Sequence, residues 1–318
     1  MSSSGTLAAT ADTGRTGTDH AEPGPADLER AIVQAVAYAD VFDYALTADE
    51  IHRYLIGVPA SRGIVRGMLA NGRPAAIARS GRYFTLVGRE SAVDTRRARA
   101  ATAAAYWRRA VRYGHAISNL PFVRMLAVTG ALAMDNMSDD DIDYLIITEP
   151  GRLWLCRAMI VGLVRVAALR GTVLCPNYFL SEQALVLTER NLFTAHEVTQ
   201  MVPLAGLPVY QRLRELNRWT ETYVPNATGA PRRLATAEPG RRRARRVLER
   251  TLRSPVCAPL ERWEMARKVS KFSKRGHDHV EAAFGPDWCK GHFGDHGQVT
   301  LARYAERLSA LESAAEQR

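Results

Sequence analysis

Residues 123–148 read VRMLAVTGALAMDNMSDDDIDYLIIT, and this stretch decides how the rest of the chain is interpreted. The apolar run from Val123 to Thr129 predicts a buried strand that stops at Gly130. A polar loop follows, and Asp139 to Asp143 then lead directly into a second apolar run over residues 144–148. The stretch therefore predicts two buried strands separated by a glycine and an acidic loop.

The two aspartates before the second strand carry the candidate chemistry. Side chains alternate along a strand, so Asp141 and Asp143 share one face while Ile142 points to the other. Neighbouring carboxylates repel each other unless a cation lies between them. A glycine at a strand end lets a backbone approach phosphates, and the amides at the start of a following helix face that anion. We interpret the pattern as a divalent-metal site for phosphoryl or nucleotidyl transfer, against the simpler reading of an acidic loop that caps a strand.

The spacing of these residues is similar to that of a known superfamily. Thr129-Gly130-Ala131, the eleven-residue step from Gly130 to Asp141 and the Asp141-Ile142-Asp143 triplet resemble nucleotidyltransferases with the DNA polymerase beta-like fold, whose pattern is Gly-Ser, a loop, then Asp-x-Asp. Residues 152–157 (RLWLCR), 175–180 (CPNYFL) and 193–197 (FTAHE) resemble one bacterial branch with an N-terminal helical module. The resemblance covers about residues 28–225 and implies an α+β fold whose nucleotidyltransferase core has a mixed β-sheet.

The resemblance also implies a reaction and its residues. Asp141 and Asp143 would hold Mg²⁺ or Mn²⁺, and an NTP, ATP above the others, would give its nucleoside monophosphate to an acceptor hydroxyl with release of pyrophosphate. The expected triphosphate contacts are Thr129, Gly130, Ala131 and Arg157. A small-molecule acceptor is favoured over nucleic acid, because no basic and aromatic track is visible to guide a strand.

Two departures from the family pattern support a second interpretation. Ala131 stands where the family has serine, and the later strand over residues 173–180 offers Asn177 where active members supply a third carboxylate. An amide is neutral and does not act as a general base, so Glu182 and Glu197 are the substitutes considered beside Asn177. Without such a group the protein would be a degenerate nucleotide-sensing or DNA-binding regulator, or an adaptor that binds no ligand.

The N-terminal part predicts a disordered leader over residues 1–26 and a winged-helix-like module over residues 27–90. The module combines helical patterns from Leu28 and over residues 61–70, a capping box formed by Thr47 and Glu50, and a hairpin around residues 80–82. Such modules bind DNA or dock onto proteins. The candidate phosphate contacts are Arg62, Arg66, Arg79 and Arg82.

The remaining chain divides into a core with its leading helix (91–225), a basic linker (226–246) and a helical C-terminal region (247–318). The helix over residues 94–117 carries Arg96, Arg97 and Arg99, which we interpret as a solvated face. The run RRRARR at 241–246 predicts either nucleic-acid contact or a solvated helix start. Five side chains near the C-terminus are candidate zinc ligands: His277, His279, Cys289, His292 and His296.

Composition sets the broad class of the protein. The chain has 318 residues, 47% hydrophobic and 24% charged, which is typical of a globular protein, and its net charge of +10 favours a polyanionic partner without choosing one. The four cysteines have no framework spacing, so a reducing cytoplasmic setting is expected. The apolar stretch over residues 153–169 contains Arg157 and Arg165 and is too short for a membrane span, so a buried helix is predicted there.

Overall fold

The computed structural model describes residues 23–138, 141–232, 234, 243–254, 257–273, 284–290 and 296–316. The leader predicted for residues 1–26 lies almost entirely outside these ranges. The described chain is an α+β protein with a mixed sheet and helices at its C-terminal end, as the sequence predicts. None of its helices combines the length and the apolar character that crossing a membrane requires, within the residues described.

The N-terminal part consists of three helices and a small antiparallel sheet. The helices are α1 (Pro25–Asp40), α2 (Ala48–Arg53) and α3 (Arg62–Ala70), and the strands are β1 (Leu46–Thr47), β2 (Ile77–Ser80) and β3 (Tyr83–Leu86) in the order β1-β3-β2. The predicted capping box is present: the Glu50 amide donates to the Thr47 hydroxyl at 3.3 Å, and the Thr47 amide donates to the Glu50 carboxylate at 2.8 Å. The predicted helices and hairpin are confirmed.

A five-stranded mixed sheet forms the centre of the molecule. Its strands are β4 (Val123–Val128), β5 (Asp141–Thr148), β6 (Val173–Ser181), β7 (Val202–Ala205) and β8 (Trp288–Lys290), in the order β7-β4-β5-β6-β8. β5 and β6 are parallel and the other pairs are antiparallel. Parallel strands need a long crossover, which α6 (Leu153–Ala168) supplies between β5 and β6. The strands predicted over residues 123–129, 144–148 and 173–180 are confirmed.

The two faces of the sheet pack against different helices. Alternate residues Ile142, Tyr144 and Ile146 of β5 belong to one core with α4 (Ala92–Ser118) and α6. Leu145 and Ile147 belong to a second core with α7 (Leu192–Gln200) and α8 (Leu207–Leu216). Because Asp141 and Asp143 have the same parity as Leu145, both carboxylates lie on the face of α7 and α8. A four-residue helix, α5 (Gly130–Ala133), follows β4 and precedes the acidic loop.

The C-terminal helices α9 (Arg243–Leu252) and α10 (Ala258–Ser273) cover the opposite face. α9 begins inside the segment expected as a basic linker, and the Arg245 side chain is buried against Glu249 and the carbonyls of Ser118 and Val123. Neither nucleic-acid contact nor a solvated helix start describes this arginine, because its guanidinium satisfies two core carbonyls and a carboxylate. On α10, Met265 packs against the sheet core.

The last helix, α11 (His296–Glu316), returns to the N-terminal part of the chain. Its apolar residues Tyr304, Leu308 and Leu311 pack against the core formed by α1 and its neighbours. Arg307 also forms an ion pair with the buried carboxylate of Asp40 on α1 at 2.8 Å. The sequence predicts a final helix over residues 299–311 whose apolar face closes the core, and in the structure this face closes the core of the N-terminal part.

Candidate functional site

The acidic end of β5 forms a compact cluster with a cysteine on the neighbouring strand. Asp143 is paired with Cys175 in the parallel register of β5 and β6, so their side chains stand side by side. One ligand atom each of Asp141, Asp143 and Cys175 lies within 4.8 Å of the others. Among the described residues, this is the one group of three carboxylate, thiol or imidazole side chains placed to share a metal ion. The expectation that Asp141 and Asp143 face the same way is confirmed.

A β-bulge in β6 brings a further side chain to the cluster. The register shifts between Asp143, which pairs with Cys175, and Leu145, which pairs with Tyr178, so β6 carries one extra residue there. Pro176 lies in this bulge, where the missing N–H does least harm to the ladder. As a result Asn177 also reaches the site: its amide nitrogen donates to Asp143, and its amide oxygen accepts from the Cys175 thiol at 2.6 Å.

Gly130 is required by its contact with Asp143. It has a left-handed backbone with φ of 63°, and any Cβ built on it would overlap the Asp143 carboxylate. The Thr129 amide also donates to the Asp143 carbonyl at 3.1 Å, which ties the end of β4 to the start of β5. The sequence explained this glycine by close approach to phosphates. In the structure its lack of a side chain makes room for the carboxylate.

The cluster opens onto a large cleft of about 1380 Å³ between the sheet, α1, α7 and α11. Six residues expected at the site line this cleft: Thr129, Gly130, Ala131, Asp141, Asp143 and Asn177. Aromatic rings form part of its wall, including those of Tyr38, Tyr178 and Phe193. The cleft therefore joins the acidic cluster to a predominantly apolar chamber.

Glu197 lies in the same cleft, on α7, in an environment that favours its neutral form. Burial raises the pKa of the Glu197 carboxyl to about 7, and the positive charge of Lys290 opposes this shift. Lys290 is itself paired with Glu189 at 3.1 Å. A carboxyl group with a pKa near 7 is suited to exchanging protons at neutral pH.

His196, beside Glu197, is buried in a stack of aromatic rings. Its imidazole lies parallel to the Tyr38 ring with centroids 4.0 Å apart, and burial lowers the pKa of His196 to about 3, so the ring is neutral. The Gln200 amide nitrogen lies 3.1 Å from Nδ1; an amide nitrogen donates, so Nδ1 accepts and the ring proton is assigned to Nε2. Nε2 lacks a hydrogen-bond partner among the described residues. A buried donor therefore lies beside Glu197 in the wall of the cleft.

α7, which carries both residues, has a different cap from the one expected. The sequence predicts a helix that begins near Thr194, with the Thr194 hydroxyl as its cap, but the helix begins at Leu192 and its cap is Asn191. The Asn191 side chain accepts a hydrogen bond from the Thr194 amide at 2.8 Å. The correction moves the helix start two residues towards the N-terminus.

Two residues expected at the site are elsewhere. Arg157 is on α6 and lies over the Phe179 ring, on the face of the sheet opposite to Asp141 and Asp143. Glu182 follows the far end of β6, and its carboxylate lies 3.6 Å from Arg124. β5 and β6 run parallel with Asp143 and Cys175 near their starts, so the length of β6 separates Glu182 from the cluster. Neither residue lines the cleft.

Arginines of α4 take roles that the sequence did not indicate. Of the three read as a solvated face, only Arg97 is exposed. Arg96 is buried, donates to Glu50 and the Met134 carbonyl, and has a pKa lowered by burial to about 10. Arg99 lines the cleft and donates to the Phe42 carbonyl at 2.8 Å. Arg99 and Lys290 are therefore cations at the cleft, where Arg157 was predicted to lie.

The N-terminal arginines are engaged with other parts of the protein. Arg62 and Arg66 both form ion pairs with Asp49, at 3.5 and 2.8 Å. Arg79 donates to the Gly81 carbonyl, and Arg82 donates to the Tyr83 hydroxyl. These contacts reduce the positive charge that α3 offers to a phosphate backbone.

The candidate zinc ligands are partly outside the described residues. His277, His279 and His292 lie there, while Cys289 is buried in the core on the α6 face and His296 lines the cleft on the other face. These two side chains are not part of the metal-competent cluster among the described residues. The zinc site stays a prediction.

Comparisons with family models, with curated proteins and with solved structures found no match for this chain. The site is therefore interpreted from its own geometry. Sequence reasoning missed the position of Cys175 in the cluster, although the Cys175-Pro176-Asn177 triplet within a predicted strand was a usable signal, because a proline there indicates a bulge.

Proposed function

We propose that the protein is a divalent-metal-dependent nucleotidyltransferase with a winged-helix-like N-terminal module and a nucleotidyltransferase core. The observation that carries the proposal is the convergence of Asp141 and Asp143 on one sheet face, against Gly130 and open to a large cleft. The chemistry of this donor set fits a divalent cation, since two adjacent carboxylates need a positive charge between them. When bound, the cation would neutralise the phosphates of an NTP.

The residues of the cleft supply the other parts of a transfer reaction. Asp141 and Asp143 would hold the cation, and the backbone after Thr129 would face the phosphates. The acceptor hydroxyl loses its proton to the Glu197 carboxylate. Its oxygen forms a bond to the α-phosphorus while the bond between that phosphorus and the oxygen leading to the β-phosphate breaks, so pyrophosphate leaves. The neutral His196 donates through Nε2 to an oxygen of the acceptor, which orients the hydroxyl.

The size and lining of the cleft favour a small-molecule acceptor. Pockets for a single drug-sized ligand enclose about 300–1000 Å³. The cleft holds about 1380 Å³, enough for a nucleotide and a second molecule together. Its walls carry aromatic rings, and the arginines of the N-terminal module are paired within the protein. An acceptor with an apolar body and a hydroxyl group fits these walls better than a nucleic-acid strand does.

A nucleotide-sensing regulator is the second candidate, and Asn177 is the observation that favours it. Asn177 takes the place expected for a third carboxylate, and its amide nitrogen donates to Asp143. An amide in this position supports nucleotide binding without accepting a proton. The two candidates differ at Glu197: a transferase needs this carboxylate for turnover, whereas a sensor does not.

Thermal melting with each NTP, with and without Mg²⁺, Mn²⁺ or Zn²⁺, tests the proposal. A ligand at 100 times its Kd stabilises the folded state by about 2.7 kcal/mol. We expect a shift that requires the metal, prefers one NTP and disappears in Asp141→Asn/Asp143→Asn. Asp94→Asn, an exposed carboxylate on α4, is the matched control and keeps the shift. The absence of any shift in folded protein would contradict both candidates.

Pyrophosphate release separates the enzyme from the sensor. The protein with its preferred NTP is supplied with fractionated small-molecule extracts, and released pyrophosphate is measured. A transferase releases pyrophosphate in at least one fraction, and Glu197→Gln abolishes release while retaining the metal-dependent melting shift. Nucleotide binding with no release in any fraction favours the sensor.

A further inference from the structure

We propose that Cys175 is a third ligand of the cation held by Asp141 and Asp143, and that the site takes a thiophilic divalent transition metal such as Zn²⁺ in preference to Mg²⁺. The inference rests on the proposed function, because it names the metal of the same site. It differs from the expectation that the family resemblance implies, which is Mg²⁺ or Mn²⁺.

The backbone places the thiol where a ligand is needed. Cys175 is the direct partner of Asp143 in the parallel ladder, and the ligand atoms of the three side chains lie within 4.8 Å of one another. Donors bound to one tetrahedral zinc ion at about 2.0–2.3 Å are about 3.3–3.7 Å apart. Side-chain rotations that close the present separations by at most about 1.5 Å therefore bring all three donors onto a single ion.

The donor set discriminates between metals. Mg²⁺ prefers hard oxygen ligands in an octahedral arrangement, whereas thiolate sulfur is a ligand of zinc and of other softer transition metals. Three protein donors are also typical of catalytic zinc sites, which leave a further position open for water or substrate. Two carboxylates and one thiolate match this pattern, and the adjoining cleft gives access to the open position.

Asn177 holds a carboxylate of the cluster in place. Its amide nitrogen donates to Asp143, a bond that metal binding preserves, whereas its amide oxygen accepts from the Cys175 thiol, a bond that is lost when the thiol releases its proton to bind the ion. Groups that orient metal ligands in this way tune affinity without binding the ion themselves. Asn177 is thus a positioning residue, at the place where the family resemblance implies a third carboxylate.

The other described cysteines are differently placed. Cys156 is fully buried in the core on the α6 face, where burial raises the pKa of its thiol far above the usual value. Cys289 is also buried on that face, and burial raises its thiol pKa as well. Cys257 is half-buried beside α10. Each of these thiols lies outside the metal-competent cluster. Loss of a thiolate–metal signal on substitution of Cys175 alone therefore assigns that signal to the cluster.

Cobalt spectroscopy of the full-length, metal-stripped protein tests the proposal. Co²⁺ replaces Zn²⁺ and gives a near-ultraviolet charge-transfer band when a thiolate is a ligand. We expect this band in the wild type and in the matched control Cys257→Ser, and its loss in Cys175→Ser. Asp141→Asn lowers the Co²⁺ affinity at least about tenfold. Zn²⁺ bleaches the band at stoichiometric concentration, and a thousandfold excess of Mg²⁺ does not.

Each other outcome decides against a defined part of the account. Co²⁺ binding without a thiolate band, reversed by Mg²⁺, overturns the Cys175 ligand and leaves the proposed function in place. A band that survives Cys175→Ser and is lost in Cys289→Ser also overturns it. A Cys175-dependent band in a protein that binds no nucleotide supports the metal site and contradicts the proposed function.

A second measurement covers the case in which Cys175→Ser does not fold. Alkylation of wild-type Cys175 is followed by mass spectrometry with and without Zn²⁺, with Cys257 as the internal reference. Zn²⁺ is expected to slow alkylation of Cys175 at least about tenfold and to leave Cys257 unchanged. Equal rates at Cys175 with and without Zn²⁺ overturn the proposal.

Discussion

Glu197→Gln is expected to stabilise the protein at alkaline pH while abolishing transfer. The folded-state pKa of Glu197 is about 7, raised by burial from 4.5. Between these two values the folded chain keeps a proton that the unfolded chain has released, so stability falls as pH rises through this window. A rise from 4.5 to about 7 corresponds to about 3 kcal/mol at 1.36 kcal/mol per pKa unit. Glutamine resembles the protonated carboxyl in shape and carries no charge, so the variant escapes this cost.

Urea unfolding of both proteins from pH 4 to pH 9 measures the effect. The difference in unfolding free energy, variant minus wild type, is expected to lie near zero at pH 4 and to rise to about 3 kcal/mol above pH 7. As the pH falls below about 6.5, the unfolding free energy of both proteins decreases, because burial lowers the folded-state pKa of His196 to about 3. This decrease is the same in both proteins and cancels in the difference. Glu215→Gln, at an exposed position on α8, is the control and is expected to stay within about 0.5 kcal/mol of the wild type.

The shape of the difference curve decides the outcome. Parallel stability curves for the wild type and Glu197→Gln, or a variant that is less stable at pH 8, would refute the argument that Glu197 is held in a desolvated site. A variant that is more stable at pH 8 but fully active would confirm the desolvation and remove Glu197 from the reaction.

Three further substitutions test particular contacts. Gly130→Ala is expected to lower the unfolding free energy by at least about 1 kcal/mol and to weaken metal binding, because the added Cβ displaces Asp143. Calorimetric titration with Zn²⁺ measures the change in affinity, and an unchanged affinity would contradict the prediction. Arg245→Ala leaves the buried Glu249 carboxylate without its main partner and is expected to lower the urea-unfolding free energy by about 3–5 kcal/mol; a loss below 1 kcal/mol would show that the pair is dispensable. Asn191→Ala removes the cap of α7 and is expected to lower the urea-unfolding free energy by about 1 kcal/mol, whereas Asn191→Ser is expected to retain the wild-type value. Equal losses in both variants would argue against capping.

Features that depend on local sequence were predictable. The alternation Asp141-Ile142-Asp143 in an apolar strand places both carboxylates on one face whatever the strand pairs with. The Thr47 and Glu50 capping box likewise depends on a spacing of three residues within one turn. In both cases the geometry depends on only a few neighbouring residues, and the structure matches the prediction.

Features that depend on strand pairing and helix side were not predictable. Glu182 follows the same strand as Asn177, but the parallel direction of β6 places the end of that strand away from Asp143. Arg157 has suitable chemistry, but the crossover helix packs on the other face of the sheet. The proline after Cys175 indicates a bulge, but the pairing of Cys175 with Asp143 depends on a strand register that the local sequence does not specify. Arg245 lies in a run that looks solvent-exposed, yet it meets two carbonyls more than a hundred residues away.

The central claim is that a metal ion lies between Asp141 and Asp143 and binds a nucleotide there. Anomalous diffraction from crystals grown with Zn²⁺ or Mn²⁺ and a non-hydrolysable NTP analogue tests it most directly. The account predicts a metal peak within bonding distance of both carboxylates, with the triphosphate of the analogue in the adjoining cleft. A nucleotide bound elsewhere, with no metal at these two aspartates, would contradict it.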